Sequence, residues 1–366
     1  MATISLCMIV KNEEKNLENC LSSVKDVVDE IVIVDTGSTD RTKEIAKRWT
    51  NRIYDFEWID DFSAARNVSF QYATKDYIFW LDADDVMEQK EIEKFKFLKK
   101  SLSEEEIDVV YMKYFLPSNK IESHTTRIRM IKRGLSAKWG GIVHEDITVN
   151  GEHRYTLSDV VITHTKDLNN TDDRRPSRRN LEIYELNIAR GHKLSVADMF
   201  NYARECSIHK DYPNAIKYFE LIRDHPEVSL QNNMFIYHKL ATCYVLNGQP
   251  EKELELTLQS LSLDMPYPAF SCRMGEHFIK TGQIEVAIFW YKTAYMQPLS
   301  DSYSFSVADA TYHTWLPHQQ LAICYEALGE MDQADFHNRQ AEYYKNRLVN
   351  QTKKVNTSLN TMDSRS

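Results

Sequence analysis

The hydrophobic pattern of this chain changes once along its length, and that change limits the possible folds more than any other feature. In the first part, short apolar runs alternate with amphipathic stretches, and residues 4–10, 30–34 and 77–81 have the composition of buried strands. Residues 13–28 place apolar side chains at helical spacing between the first two runs. This order predicts an α/β domain over residues 1–165, built on a mostly parallel sheet.

The second part of the chain has a helical pattern. Residues 181–349 are predicted to be all α-helical, and residues 166–180 are polar, contain Pro176 and lack apolar periodicity, which predicts a linker. Small residues recur twelve positions apart in three pairs, Ala203 and Ala215, Gly275 and Ala287, and Ala322 and Ala334. This spacing resembles the tetratricopeptide repeat (TPR), a helical hairpin of about 34 residues, with another hairpin array as the alternative. Residues 350–366 are polar without an apolar face and are predicted to be disordered.

Composition excludes several classes of protein. The 366 residues, 42% of them hydrophobic, are enough for two domain cores, and a net charge of −9 argues against nucleic acid as a partner. No apolar run reaches the roughly 20 residues of a transmembrane helix, and the N-terminal residues lack the basic start of a secretory signal. The six cysteines are scattered without a CxxC pair, which is typical of reduced thiols and predicts a cytoplasmic protein. The glycine motifs of dinucleotide-binding and P-loop enzymes do not occur.

Acidic residues follow each of the three predicted strands. Residues 11–14 (KNEE) follow the first, residues 35–40 (DTGSTD) the second and residues 82–85 (DADD) the third. Ligands of open α/β sheets bind beyond the carboxyl ends of strands, and three carboxylates crowded at a buried strand end require a cation or hydrogen-bond donors. A divalent metal ion that holds a diphosphate would meet this requirement. Within the third cluster, replacement of Asp85 is expected to lower turnover less than replacement of Asp84.

Four segments together resemble a known family. They are residues 5–14 (SLCMIVKNEE), 33–40 (IVDTGSTD), 62–67 (FSAARN) and 81–85 (LDADD), and in this order they resemble the family 2 glycosyltransferases of the GT-A fold. The resemblance covers about residues 3–165. It implies a metal-dependent, inverting enzyme of the hexosyltransferase class, with a nucleoside-diphosphate sugar as donor and Mn²⁺ or Mg²⁺ as cofactor.

The resemblance implies roles in binding the nucleotide. Asp35 would contact the base, Arg66 the base or the ribose-phosphate, and Asp82 the ribose, while Asn12 and Glu13 are further candidates for the pocket. The residues alone leave simpler explanations open. Asp35 fits a cap of the following helix, and Arg66 could pair with the neighbouring carboxylates at residues 60 and 61.

The resemblance also implies metal and catalytic residues. Asp84 would bind the metal ion and the diphosphate, with His164 beside it, although a lone histidine is more often a packed or surface residue. Residues 139–146 (WGGIVHED) are similar to the stretch that carries the general base, which must take a proton from the attacking acceptor. Glu145 is the first candidate for this base and Asp146 the second, while His144 would tune the base or assist the metal.

The order of domains bears on the acceptor. A GT-A domain followed by TPR-like repeats resembles the bacterial bacteriocin S-glycosyltransferases, which implies a peptide or protein side chain as acceptor, and helical repeats commonly bind polypeptide. Synthesis of cell-surface polysaccharide or lipid-linked glycan is an alternative. A repeat scaffold that binds nucleotide sugar without turnover is another. Aromatic residues in the repeats could grip a peptide or form a homodimer interface.

Overall fold

The computed structural model describes residues 1–116, 123–165, 177–297 and 307–363. Side chains are described for residues 1–116, 125–165, 177–297 and 310–347. The chain divides into two units that are described separately. Unit 1 comprises residues 1–118 and 122–193, and unit 2 comprises residues 119–121 and 194–366.

Unit 1 is an α/β unit built on one large sheet. Its described strands are β1 (Ile4–Val10), β2 (Glu30–Asp35), β3 (Ile53–Asp55), β4 (Tyr77–Trp80), β5 (Asp85–Val86), β6 (Val109–Leu116), β7 (Ser123–Lys132), β8 (Ala137–Gly140), β9 (Asp146–Val149) and β10 (Tyr155–His164). Eight of them form a sheet in the order β3-β2-β1-β4-β7-β6-β10-β5, and β8 and β9 form a separate antiparallel pair. The large sheet is mixed: among the described strands, four pairings are parallel and three antiparallel.

The strand order reverses between β1 and β4. β1 pairs in parallel with β2 on one side and with β4 on the other, after the chain has run outward through β2 to β3. All four residues of β4 and all but one of β1 are buried, which explains their continuous apolar sequences. A crevice forms beyond the carboxyl ends of strands at such a reversal, so the segments after Val10 and Trp80 meet there.

The described helices of unit 1 lie between these strands. They are α1 (Leu17–Val24), α2 (Thr42–Ala46), α3 (Phe62–Gln71), α4 (Gln89–Glu104) and α5 (Arg179–Ala189). α1 buries Leu17, Leu21 and Val24, the face predicted from their spacing. α3 begins after Asp61, whose carboxylate accepts a hydrogen bond from Ala64 N and so caps the helix.

α5 is part of unit 1. Tyr184 Oη donates to Val143 O at 2.9 Å, and Asn187 Nδ2 donates to Asp60 O at 3.0 Å. These contacts bury one face of α5 against loops of the α/β unit.

The unit boundary therefore differs from the predicted one. The sequence places a linker at residues 166–180 and the helical domain from residue 181, whereas unit 1 extends to Lys193. Residues 166–176 of the predicted linker lie outside the described residues. The difference arises because the periodicity of a helix shows that one face is buried but not which unit buries it.

Unit 2 is all α-helical in its described residues. Its helices are α6 (Val196–Ile208), α7 (Tyr212–Ile222), α8 (Leu230–Leu246), α9 (Pro250–Ser260), α10 (Pro268–Lys280), α11 (Ile284–Met296), α12 (Val307–His313), α13 (Trp315–Ala327) and α14 (Met331–Asp363). Successive helices pack as hairpins, α6 with α7, α8 with α9, α10 with α11 and α13 with α14. The predicted helical array is thus confirmed, with α12 inserted before the last hairpin.

The small residues that marked the repeat lie at helix contacts. Ala203, Ala215 and Ala287 have no exposed surface. A Cβ added to Gly275 on α10 would lie 2.6 Å from the Tyr291 ring on α11. Only glycine therefore allows these two helices their close approach.

Three further features concern the whole chain. α14 extends to Asp363 and so covers most of the segment predicted to be disordered, whose side chains lie outside the described residues. All six cysteines lie among the described residues, where they are buried and form no disulfide bond. No described helix is both long and apolar enough to cross a membrane.

Candidate active site

A cleft of about 970 Å³ opens beyond the carboxyl ends of β1 and β4. Eight residues singled out from the sequence line it, namely Glu13, Arg66, Asp82, Asp84, His144, Glu145, Asp146 and His164. Asn12 and Asp35 are not among its described lining residues, although their neighbours Lys11 and Thr36 are. The fold therefore brings acidic segments from distant parts of the sequence into one cavity.

Arg66 connects two carboxylates in this cleft. Its Nη2 donates to Asp82 Oδ1 at 2.7 Å, and its Nε donates to Glu145 Oε1 at 2.6 Å. The guanidinium lies 4.9 Å from the ring centroid of Trp80 and 4.8 Å from that of Trp139. Two ion pairs and two aromatic faces hold Arg66 in place, and Arg66 in turn fixes both carboxylates.

The ion pairs determine the protonation of these groups. Burial opposes the charge on Arg66, but the Asp82 and Glu145 carboxylates raise the pKa of Arg66 above its ordinary value. Burial likewise opposes the charge on Asp82, but Arg66 and Arg129 lower the pKa of Asp82 below its ordinary value. Both partners are therefore charged at neutral pH.

The simpler pairing of Arg66 with its sequence neighbours is not observed. Asp61 accepts from Ala64 N as the cap of α3. Asp60 accepts from Arg190 Nη2 at 2.9 Å. Arg66 turns away from both towards the cleft.

Asp84 and His164 meet where β5 pairs with β10. The carbonyl of Asp84 accepts from Thr165 N at 2.7 Å and Thr165 Oγ1 at 2.8 Å. His164 Nδ1 lies 3.5 Å from Asp84 Oδ1 and 3.4 Å from Asp85 Oδ1. One ligand atom from each of these three residues lies within 4.8 Å of the others, a donor set suited to a divalent cation.

Asp85 is an interior residue rather than part of the cleft surface. Its side chain is fully buried, and its Oδ2 accepts from Arg129 Nη1 at 3.0 Å and from Asp82 N at 3.2 Å. Its Oδ1 accepts from Tyr114 Oη at 3.0 Å. Arg129 is also fully buried, with its guanidinium 3.9 Å from the Trp80 ring centroid and 4.4 Å from that of Tyr114. Asp85 therefore anchors the acidic turn from within.

The charge balance tests whether the site fits a cation. In this network two arginines, Arg66 and Arg129, face four carboxylates, those of Asp82, Asp84, Asp85 and Glu145. Arg127, which lines the same cleft and also lowers the pKa of Asp82, offsets part of the remaining negative charge, and a divalent ion would offset more of it. Because Arg129 and Tyr114 engage both oxygens of Asp85, Asp84 and His164 are the residues suited to hold such an ion.

Asp35 combines a structural contact with an unused acceptor. Its Oδ2 accepts from Gly37 N at 3.1 Å and Ser38 N at 3.0 Å, which stabilises the turn after β2. Its Oδ1 is buried and has no hydrogen-bond partner among the described residues. Asn12, with a φ of 56°, accepts from Thr39 N at 2.8 Å and ties the first acidic segment to the second. Asp35 therefore stabilises this turn and does not cap α2, whose N-cap residue is Arg41.

The loop between β8 and β9 carries the candidate bases. His144 adopts a φ of 57° and is exposed, which turns the chain so that Glu145 points towards Arg66. Asp146 is exposed at the start of β9, and its Oδ1 accepts from Ile147 N at 2.8 Å. The two carboxylates thus differ, one ion-paired and half-buried, the other exposed on the cleft wall.

Sequence reasoning missed Arg129, Tyr114 and the two tryptophans that enclose Arg66. Arg129 lies in the apolar context Ile128-Arg129-Met130, where a charged residue predicted to be buried would have been a usable signal. No comparable signal existed for Tyr114, because a tyrosine in a strand is ordinary.

Known proteins resemble this chain over different lengths. Residues 5–150 match the family described as Glycosyl transferase family 2. Glycosyltransferase SunS, derived from the SPbeta prophage of Bacillus subtilis, is 28% identical over 277 residues, which cover 73% of this chain and 64% of SunS. A TPR repeat-containing protein of Synechococcus elongatus is 53% identical over 85 residues, which cover 23% of this chain and 21% of that protein. The chain thus spans less than two thirds of these relatives.

Solved structures overlap with the chain only loosely. TarS 1–349 of S. aureus has a TM-score of 0.36 at 15% identity, covering 82% of this chain and 95% of that one. Glucosyl-3-phosphoglycerate synthase of Mycobacterium tuberculosis, solved with Mn²⁺ and UDP-glucose, has a TM-score of 0.27 at 23% identity, covering 31% and 44%. Scores this low do not bear on the function.

Asp85→Asn is expected to destabilise the protein far more than Asp84→Asn. Asparagine at position 85 would leave the buried Arg129 without its counter-charge, which costs about 3–5 kcal/mol in the free energy of unfolding. Asp84→Asn leaves the buried Asp85–Arg129 pair intact, so a smaller loss of stability is expected. Urea unfolding of both variants measures the difference, and equal stabilities would contradict the anchoring role of Asp85.

Proposed function

We propose that this chain transfers a sugar from a nucleoside-diphosphate sugar to a peptide or protein side chain, since residues 5–150 match the family described as Glycosyl transferase family 2. The observation that carries the proposal is the acidic cluster of Asp82 and Asp84, held at the strand reversal beside Arg66 and His164. A passive nucleotide-binding scaffold would not need a half-buried carboxylate, Glu145, aimed at the same place. The SunS similarity supports the proposal, since 277 residues exceed unit 1 and must extend into the helical unit.

The nucleotide would lie along the carboxyl ends of β1, β2 and β4. Asp35 Oδ1 would accept from an N–H group of the base, because it is buried and without a partner among the described residues. Asp82 keeps one oxygen on Arg66, and its other oxygen would accept from a ribose hydroxyl. Lys11 and Arg127 line the same cleft and supply positive charge for the phosphates.

Asp84 and His164 would hold a divalent cation with the diphosphate. When bound, the ion would stabilise the negative charge that develops on the phosphate oxygen as the sugar leaves. The carboxylate and imidazole donors fit Mn²⁺ or Mg²⁺. Asp85 would keep its hydrogen bonds with Arg129 and Tyr114 and would not bind the ion itself.

Glu145 would take the proton from the acceptor. Arg66 binds its Oε1 and orients the carboxylate, which leaves Oε2 as the basic oxygen. The exposed Asp146 on the same wall is the alternative base. Attack from the face opposite the leaving diphosphate would invert the anomeric carbon.

The acceptor class follows from the resemblance to the bacteriocin S-glycosyltransferases and from the helical unit. Repeat arrays offer extended surfaces that suit polypeptide ligands. A lipid-linked or polysaccharide acceptor is the competing outcome. That the protein is cytoplasmic and that it forms a homodimer are still predictions from the sequence.

Donor turnover is expected to require a divalent ion. Release of nucleoside diphosphate from a panel of nucleotide sugars should stop in excess chelator and return with Mn²⁺ or Mg²⁺. Asp84→Asn should abolish release while the far-UV circular dichroism stays that of the wild type, because asparagine keeps the size of the side chain and the buried Asp85–Arg129 pair remains. Full turnover in excess chelator would contradict the metal site.

Glu145→Gln is expected to lower sugar transfer by about 100-fold or more while the affinity for the nucleotide changes little. Asp146→Asn serves as the matched control, since it removes the neighbouring carboxylate from the same cleft. Transfer rates at saturating donor and nucleotide affinities by calorimetry separate catalysis from binding. A larger loss in Asp146→Asn would assign the base to Asp146.

The helical unit is expected to be required for the acceptor but not for the donor. A chain shortened to residues 1–193 should still release nucleoside diphosphate. It should no longer transfer sugar to a protein acceptor that the full-length chain modifies. The cut belongs after Lys193 because a cut near residue 167 removes α5, whose Tyr184 holds the backbone of the loop that carries Glu145. Undiminished transfer by the shortened chain would show that the helical unit is not needed to recognise the acceptor.

A further inference from the structure

The loop between β8 and β9, which carries Glu145, is held by donors from outside this pair of strands. Gly141 O accepts from Ser63 Oγ at 2.6 Å, and Ile142 O accepts from Phe62 N at 3.3 Å. Both donors lie in the first turn of α3. The backbone of the loop is therefore bonded to a helix that is distant in the sequence, and its shape depends on that helix.

Further residues of α3 hold the two ends of this loop. Asn67 Nδ2 donates to Trp139 O at 3.0 Å, and Asn67 Oδ1 accepts from Trp139 N at 3.0 Å. Arg66 Nε donates to Glu145 Oε1 at 2.6 Å. Together with the two donors of the first turn, these residues are spaced at i, i+1, i+4 and i+5, which places them on one face of the helix. One face of α3 thus fixes both the start of the loop and the carboxylate at its end.

The turn directly before Glu145 is strained. His144 adopts a φ of 57°, in the left-handed region that is unfavourable for a residue with a Cβ and that persists only where the surroundings impose it. The carbonyl of Val143 belongs to the peptide group that ends at His144 N, so rotation of this group would change the φ of His144. The orientation of that carbonyl therefore decides whether the turn is kept.

Tyr184 of α5 supplies the donor for this carbonyl. Its Oη donates to Val143 O at 2.9 Å, its own side chain has no exposed surface, and Val143 is buried as well. Without the hydroxyl, Val143 O would lose this donor in surroundings with little water, which is unfavourable. Rotation of the peptide group would then relieve the strain at His144. Because Glu145 is the next residue, its carboxylate would move with the turn.

We propose that Tyr184 is a positioning residue for Glu145, because its hydroxyl fixes the peptide group between Val143 and His144 and so holds the carboxylate in the cleft. This inference rests on the proposed function, in which Glu145 takes the proton from the acceptor. It adds that α5, which follows the residues 5–150 that match the family, acts on catalysis through this loop.

Tyr184→Phe tests the proposal in the full chain, because it keeps the buried ring and removes only the hydroxyl. Release of nucleoside diphosphate is measured with water as acceptor, for the nucleotide sugar of the panel that the wild type turns over fastest. The kcat should fall about 10-fold or more, since a small displacement of a catalytic group is costly. The KM for the donor, and the affinity for the nucleoside diphosphate by calorimetry, should equal those of the wild type.

Tyr77→Phe is the matched control. Tyr77 is also buried, and its Oη donates to Ile107 O at 2.6 Å at the start of β4, the end opposite to the cleft. Each variant loses one buried hydrogen bond to a backbone carbonyl, so urea should unfold both at similar concentrations. Only Tyr184→Phe should lower kcat. An equal fall of kcat in both variants would assign the loss to stability and overturn the proposal.

A double variant tests whether the hydroxyl acts through the carboxylate. Once Glu145→Gln has removed the base, adding Tyr184→Phe should lower kcat no further, because residues that act as one unit are not additive. Losses that multiply in the double variant would show that Tyr184 acts on another group, which would overturn the proposal.

The remaining outcomes separate this inference from the proposed function. A wild type that releases no nucleoside diphosphate, or a Glu145→Gln variant with the kcat of the wild type, would overturn the proposed function of the site. A chain that is inactivated by Glu145→Gln but not by Tyr184→Phe would overturn only the role of Tyr184. A Tyr184→Phe variant that no longer binds nucleoside diphosphate would also overturn it, because the hydroxyl would then support the whole site rather than the base.

Discussion

Two arginines make the acidic end of β4 compatible with a folded protein. Asp85 is withdrawn entirely from water, and a lone carboxylate there would cost several kcal/mol. Arg129 neutralises it from β7, while Arg66 neutralises Asp82 from α3. Every other property of the site depends on these pairs, because without them the turn after β4 would open to solvent or its carboxylates would take up protons.

Aromatic rings enclose both arginines of these pairs. Arg129 is enclosed by the Trp80 and Tyr114 rings, and Arg66 by Trp80 and Trp139, so Trp80 contacts both cations. Charges held in fixed positions at a partly dry site act more strongly on a ligand than mobile surface charges, and they need no rearrangement when it binds.

The sheet delivers these groups from separate parts of the chain. The reversal between β1 and β4 joins residues near Val10 and Trp80, the β5–β10 pairing brings His164 to Asp84, and the loop after β8 adds Glu145. Each contribution comes from a strand end or a short loop supported by strands. Backbone hydrogen bonds between strands hold these elements in place. The long side chains of the cleft therefore reach their hydrogen-bond partners at distances near 3 Å.

Much of this was readable in the sequence, since the deciding patterns are local. Continuous apolar runs marked the buried strands, the DADD cluster marked a strand end, and small residues at a spacing of twelve marked the helix contacts, with Gly275 against Tyr291 as the tightest. A site that needs several carboxylates close together can also be recognised in the sequence as a short run of acidic residues. The sequence therefore determined the α/β and helical parts, the acidic segments and most of the residues that line the cleft.

Tertiary structure decided the rest, because the remaining features depend on partners distant in the chain. Arg129 lies 44 residues from Asp85 and Tyr114 lies 29 residues from it, and only the register of β7 and β6 brings them together. The same holds for α5, because the sequence pattern of its apolar face would be the same whether the helix packed on a sheet or on another helix. Periodicity shows that a side chain is buried, whereas its partner, and hence whether Asp85 is an anchor or a ligand, follows only from the strand order and register.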